Sequence, residues 1–144
     1  MENTIRGIKN WFEAAVPEPT DKNRAVQIGC HYEEVGEMCD AVFKTPTNAT
    51  STTLKRISQL FKVECSGIEE HEVDRTELLD ALCDQIVTAV GVAHMFGMDI
   101  ETALAEVNAS NWSKFVDGKP LFNEHGKIAK GPNYFEPQIE KFAK

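Results

Sequence analysis

The chain has 144 residues, 42% of them hydrophobic, and a formal net charge of −8. That length suits one domain with its own core, and the acidity excludes the basic footprint that non-specific nucleic-acid binding requires. No run of about 18 uncharged apolar residues occurs, so no membrane span is expected, and the opening "MENTIRGIKNWFEAAVPEP" lacks the basic-then-apolar texture of a secretion signal.

The hydrophobic spacing predicts an all-α chain. A first helix fits residues 3–15, with Ile5, Ile8, Trp11 and Phe12 on one face, and "VPEPTDKN" ends it. Thr20 or Asp21 caps a second helix that runs to about Phe43. "KTPTNATSTT" reads as a polar linker, and Ser51 or Thr52 starts a third helix whose apolar face is Leu54, Ile57, Leu60 and Phe61. A fourth helix opens with Asp74 and Glu77 in capping-box spacing and closes at Gly97, a residue suited to the C′ position. Asp99 then caps a fifth, "IETALAEVNASNWSKF". The helical core is thus expected over residues 3–115, with a tail over residues 116–144. The turn signals Asp117-Gly118 and His125-Gly126 give that tail the texture of a short β-hairpin or an irregular segment.

Four cysteines show no CxxC spacing. Cys30, Cys39 and Cys83 fall among apolar residues of helical pattern, which predicts reduced core thiols and a cytoplasmic protein.

Two acidic constellations carry the chemistry. In "HYEEVGEMCDAV", Glu33, Glu34 and Glu37 share one edge of the second helix, and like charges at these spacings repel unless a cation neutralises them. In the fourth helix, Asp80 and Asp84 project the same way from an otherwise apolar sequence, on a stripe continued by Thr88 and Gly91. Two facing acidic edges would form an all-oxygen site suited to Mg²⁺ or Mn²⁺. Asn108, Asn111 and Lys114 recur three apart and are candidates for holding sugar or phosphate. Lys127 and Lys130 in "GKIAKGP" are candidate phosphate contacts, and Trp11 is a candidate to stack on a base, with a core aromatic as the alternative. GxxxxGK[ST], GxSxG and GxGxxG are absent.

"EEVGE" at 33–37 and "DALCD" at 80–84, with the "FGMD" turn and the tail from "VNASNWSKF" to "GKIAKGPNYFEP", resemble the all-α nucleoside triphosphate pyrophosphohydrolases. These are the MazG-like proteins, the phosphoribosyl-ATP pyrophosphohydrolases and the dimeric dUTPases, and the tail is most similar to bacteriophage members. The family signature is EExxE on one helix and ExxD on a later one. Here Ala81 stands where the second motif has its glutamate, and Asp80, one residue earlier, offers a carboxylate in its place.

The resemblance covers roughly residues 24–137 and implies a four-helix core completed by dimerisation, as a homodimer or homotetramer. It implies hydrolysis of a nucleoside triphosphate, first guess dGTP or GTP, to the monophosphate with pyrophosphate or phosphates released. Phosphoribosyl-ATP or dUTP hydrolysis is the alternative. Glu34, Glu37, Asp80 and Asp84 would then hold one to three Mg²⁺ or Mn²⁺ ions, with Glu33 as general base. A helical metal-binding oligomerisation module without turnover is the competing, non-enzymatic expectation.

Overall fold

The computed structural model describes residues 3–45, 48–124 and 127–144. It is all-α as expected, with helices α1 (Thr4–Ala15), α2 (Asp21–Phe43), α3 (Ala49–Gln59), α4 (Arg75–Met95) and α5 (Ile100–Trp112). No β-strand occurs among the described residues. The chain divides into two compact units: Glu18–Arg75, and the discontinuous Met1–Pro17 with Thr76–Lys144.

The first unit is a hairpin of α2 and α3. Thr20 caps α2: its hydroxyl accepts from the Asn23 N–H, and the Asn23 side chain accepts from the Thr20 N–H. Asn48 caps α3 by accepting from the Ser51 N–H at 2.7 Å, so this helix begins two residues before the first start expected for it. The face that α3 turns to α2 also differs from expectation. Ser51 and Ser58 are buried, while Leu60 is 39% exposed. The reason lies on α2, where Ala25, Gly29 and Gly36 form the buried stripe. Glycine leaves room for backbone, so the helices close to where a Cβ on Gly29 would lie 2.8 Å from the Ser58 carbonyl oxygen. Small side chains win that seam because large ones do not fit it.

Beyond Gln59 the helix widens into a π turn over Leu60–Glu64, closed by Cys65 N–H donating to the Leu60 carbonyl at 2.8 Å. Lys22 of α2 donates to the carbonyls of Lys62 and Cys65 at 2.9 and 2.7 Å, and Tyr32 stacks on Phe61. Arg24 Nε binds the Ile68 carbonyl at 2.7 Å, tying the outgoing chain to the start of α2.

In the second unit α1 lies against α5. Trp11 Nε1 donates to the Asn111 carbonyl at 3.0 Å, and Trp112 Nε1 donates to the Gly7 carbonyl at 3.2 Å. Both indoles meet Phe115, which is 6% exposed. Asp117 and Gly118 have φ of 50° and 71°, the signature of a type I′ turn, and close a bridge between Val116 and Lys119. A second antiparallel bridge joins Phe122 to Ile128. The other expected turn, His125-Gly126, lies outside the described residues.

From there the tail runs back along α5. Gly131 N–H donates to the Lys114 carbonyl, and Ser110 Oγ donates to the Phe135 carbonyl at 2.8 Å. Glu106 accepts from the Gln138 N–H at 3.1 Å, and Asp99 N–H donates to the Phe142 carbonyl at 2.9 Å. The tail is therefore a strap along α5.

α4 ends as the sequence predicts. Gly97 takes φ +70°, its N–H donates to the His94 carbonyl, and the Met98 N–H donates to the Ala93 carbonyl, which together make a Schellman motif. Asp99 accepts from the Thr102 N–H at 3.1 Å and caps α5. The surroundings of α4 do not follow from its composition. Only Ala93 is buried. Nine large apolar side chains from Leu78 to Phe96 stand 40–81% exposed. Covering them would be worth roughly 7–15 kcal/mol, as much as a whole domain's stability. By length and composition this helix is also apolar enough to cross a membrane.

Candidate functional site

The acidic edge of α2 is a consequence of its glycine stripe. With Gly29 and Gly36 turned to α3, Glu33 falls on the shoulder of that contact and Glu34 on the far side, with Glu37 between them. Glu33 forms an ion pair with Lys62 of the π turn. Glu34 is exposed yet crowded. Partial loss of water raises its carboxyl above the ordinary value of 4.5, and the negative charges of Glu37 and Glu33 push it further the same way. Lys62 and His31 pull in the opposite direction but do not cancel the rise. Glu34 thus sits in a field that a cation would relieve.

Asp40, one turn beyond, lies in a different field. Lys55 Nζ contacts it at 2.5 Å, and the Asn48 side-chain amide donates to it at 3.4 Å, so its carboxyl is held below the usual carboxylate range, chiefly by Lys55. A single cation, Lys55, already satisfies that end of the hairpin.

Asp80 and Asp84 belong to the other unit. Both are exposed on α4, on the face opposite Leu79, Leu82 and Ile86. Thr88 on the same stripe donates its hydroxyl to the Asp84 carbonyl at 2.9 Å, and a Cβ on Gly91 would meet nothing within 4 Å. Within either unit, among the described residues, no three His, Cys, Asp or Glu side chains converge in the manner of a complete metal cage. The acidic edge of α2 supplies only carboxylate oxygens, the donor type that Mg²⁺ and Mn²⁺ take, and Mg²⁺ completes its shell with waters and substrate phosphates.

The remaining candidates lie in the unit of α1 and α5. Asn111 accepts from Lys114 Nζ at 2.9 Å, so these two are joined. Asn108 is separated from them: it lies over Gly7, where an added Cβ would come within 2.6 Å of its amide nitrogen, and its side-chain oxygen is buried without a hydrogen-bond partner. Trp11 is half-buried, stacked on Phe115 with ring centroids 5.5 Å apart, and its N–H is engaged with Asn111. Lys130 lies over the Tyr134 ring at 4.6 Å, and Lys127 is exposed. All four cysteines are free; Cys30, Cys39 and Cys65 are half-buried, and Cys83 is exposed rather than in a core.

The sequence did not single out Lys62, the cation beside Glu33. Its signal was there: Ser51, Lys55, Ser58 and Lys62 recur at helical spacing along the edge of α3 that meets α2. No protein-family model, curated protein or solved structure matches this chain.

Proposed function

We propose that the chain is a Mg²⁺-dependent nucleoside triphosphate pyrophosphohydrolase acting in the cytoplasm as a homo-oligomer. The observation that carries this reading is the Glu33–Glu34–Glu37 edge, where crowding raises the Glu34 carboxyl and Lys62 pairs with Glu33 alone. Such an edge is ready for a hard cation. Glu34 and Glu37 would hold it, and the resemblance assigns Asp80 and Asp84 the same role. The bound ion would neutralise phosphate charge and make a water easier to deprotonate.

The chain's own residues do the rest. Glu33 takes the proton of the attacking water at its carboxylate, and Lys62 steadies that carboxylate before the substrate arrives. Lys114, Lys127 and Lys130 meet phosphate oxygens as point charges. Asn111 presents an amide to the sugar, and Asn108 brings a carbonyl oxygen that still lacks a donor. Trp11 offers a base the ring surface left by Phe12 and Phe115. A guanine nucleotide, dGTP or GTP, is the first substrate to try. The exposed α4 favours a second reading, a helical metal-binding oligomerisation module without turnover.

The test is release of monophosphate and pyrophosphate from each common ribo- and deoxyribonucleoside triphosphate with Mg²⁺, and from phosphoribosyl-ATP. Hydrolysis that falls at least a hundredfold in Glu37→Ala and Asp84→Ala is expected. Undiminished activity in either variant would remove that residue from the site. No hydrolysis of any nucleotide, with a Mg²⁺-dependent rise in melting temperature, would establish the module instead.

A further inference from the structure

Lys62 is fixed at its base and paired at its tip. It sits in the π turn Leu60–Glu64, and turns of that kind are rare and concentrate at functional sites. Lys22 secures the turn by donating to the Lys62 and Cys65 carbonyls. The aliphatic stem of Lys62 crosses Gly29 of α2, where a Cβ would lie 2.7 Å from Lys62 Cγ. Beyond Cγ only the last bonds can swing, and they carry the ammonium to Glu33. The Lys62 side chain is 19% exposed and that of Glu33 41%, so the cation of the pair is the more sheltered and the carboxylate the more open to solution. The positive charge is felt at Glu34 as well. Lys62 therefore already does part of what a divalent cation on this edge would do, and two cations on one edge repel.

We infer that Lys62 is a transferable counter-ion: it neutralises the α2 edge through Glu33, leaves when a divalent cation binds there, and then meets a phosphate of the nucleotide. Its neighbours select that destination. Glu64, two residues on, is paired with Arg56, and Asp40, seven residues along α2 from Glu33, is paired with Lys55. Glu34 and Glu37 are committed to the cation. A phosphate oxygen is the anion left, and a lysine tip is a compact point charge suited to it. This role of Lys62 rests on the hydrolase reading for its cation and its nucleotide. Without nucleotide, Lys62 competes with the cation. With nucleotide it holds phosphate instead, so the two ligands favour each other's binding through one side chain, and the coupling is reciprocal. The same departure frees the Glu33 carboxylate to take a proton from water.

Mn²⁺ binding to the full chain, followed by electron paramagnetic resonance, tests this apart from turnover. Lys62→Met keeps the stem and removes the charge; without nucleotide it is expected to bind Mn²⁺ at least about fivefold more tightly than the wild type. Lys62→Arg keeps the charge and is expected to match the wild type. Adding α,β-methylene-dGTP tightens Mn²⁺ binding in the wild type, and that tightening is expected to shrink in Lys62→Met. Because Lys62→Met could fail to fold, the Lys62 ammonium of the wild type is also followed by ¹⁵N NMR. Mg²⁺ alone must shift its resonance, and the analogue added next must shift it again. Mn²⁺ affinity unchanged or weakened in folded Lys62→Met, equal tightening by the analogue in both proteins, or a resonance that Mg²⁺ leaves in place overturns the proposal while the cation site stands. A wild type that binds no Mn²⁺ and hydrolyses no nucleotide removes the hydrolase reading, and this role of Lys62 with it.

Discussion

Gly29 and Gly36 occupy the same stripe of α2, yet alanine at the two positions should act with opposite sign. A Cβ on Gly29 would lie 2.7 Å from Lys62 Cγ, 2.8 Å from the Ser58 carbonyl oxygen and 3.2 Å from the Lys62 nitrogen. Two of these atoms are backbone, so relief requires α3 to move and draws Lys62 away from Glu33. Overpacking of this kind costs about 1–3 kcal/mol, against about 1 kcal/mol gained from helix propensity. Gly29→Ala should therefore destabilise the hairpin by up to about 2 kcal/mol. At Gly36 the nearest atoms lie 3.4–3.7 Å away, ordinary contact distances. Gly36→Ala keeps the propensity gain and should stabilise by roughly 0.5–1 kcal/mol. For a unit of this size each kcal/mol moves the melting temperature by about 4–8 °C. The assay is thermal unfolding with amide hydrogen exchange resolved to residues 21–64, because both tryptophans lie in the other unit. Equal effects of the same sign at the two glycines would refute the close approach of α2 and α3.

The other predictions concern a charge and a strap. The folded chain holds the Glu34 proton more tightly than the unfolded chain, so its ionisation penalises folding as pH rises from 4.5 through the higher folded value, and the penalty persists above it. Glu34→Gln should melt higher than the parent at pH 7 and lose that advantage at pH 4; an equal gap at both pH values, or a lower melt at pH 7, would contradict the crowding. Ser110→Ala removes the donor to the Phe135 carbonyl beneath the tail. It should cost about 0.5–1.5 kcal/mol and speed exchange and proteolysis over residues 131–142, with α2 and α3 unchanged; unaltered tail protection would show that the strap does not depend on that bond.

What was legible in the sequence was local. Thr20, Asp99 and Gly97 act within one turn of their own helix ends, and each stands where its chemistry placed it. The α3 face was misjudged because its partner decides it: Leu54, Ile57 and Leu60 form a sound apolar stripe in isolation, but where α3 closes on Gly29 and Gly36 the fully buried positions go to Ser58 and Ser51. The strap left no periodic signal, since its bonds run from Ser110, Ser113 and Glu106 to backbone far along the chain. Glu33, Glu34 and Glu37 were legible as a cluster. The split between a paired Glu33 and a crowded Glu34 was not, because it depends on where the π turn sets Lys62. The greasy composition of α4 foretold a need for cover, but composition carries no information about which surface provides it.

The route of the chain through its two units has a consequence for the order of assembly. The hairpin unit is continuous, and a short connection joins α2 to α3, so it can close as soon as residues 18–75 exist. The other unit must wait. Trp11 finds its carbonyl partner 100 positions later, at Asn111, and the strap that covers α5 is made after α5 itself. During synthesis α1 is thus made well before α5 and docked late, and its apolar face is left bare meanwhile. A nascent chain built this way depends on rapid completion, or on chaperone shielding, in the interval between making α1 and making its partner.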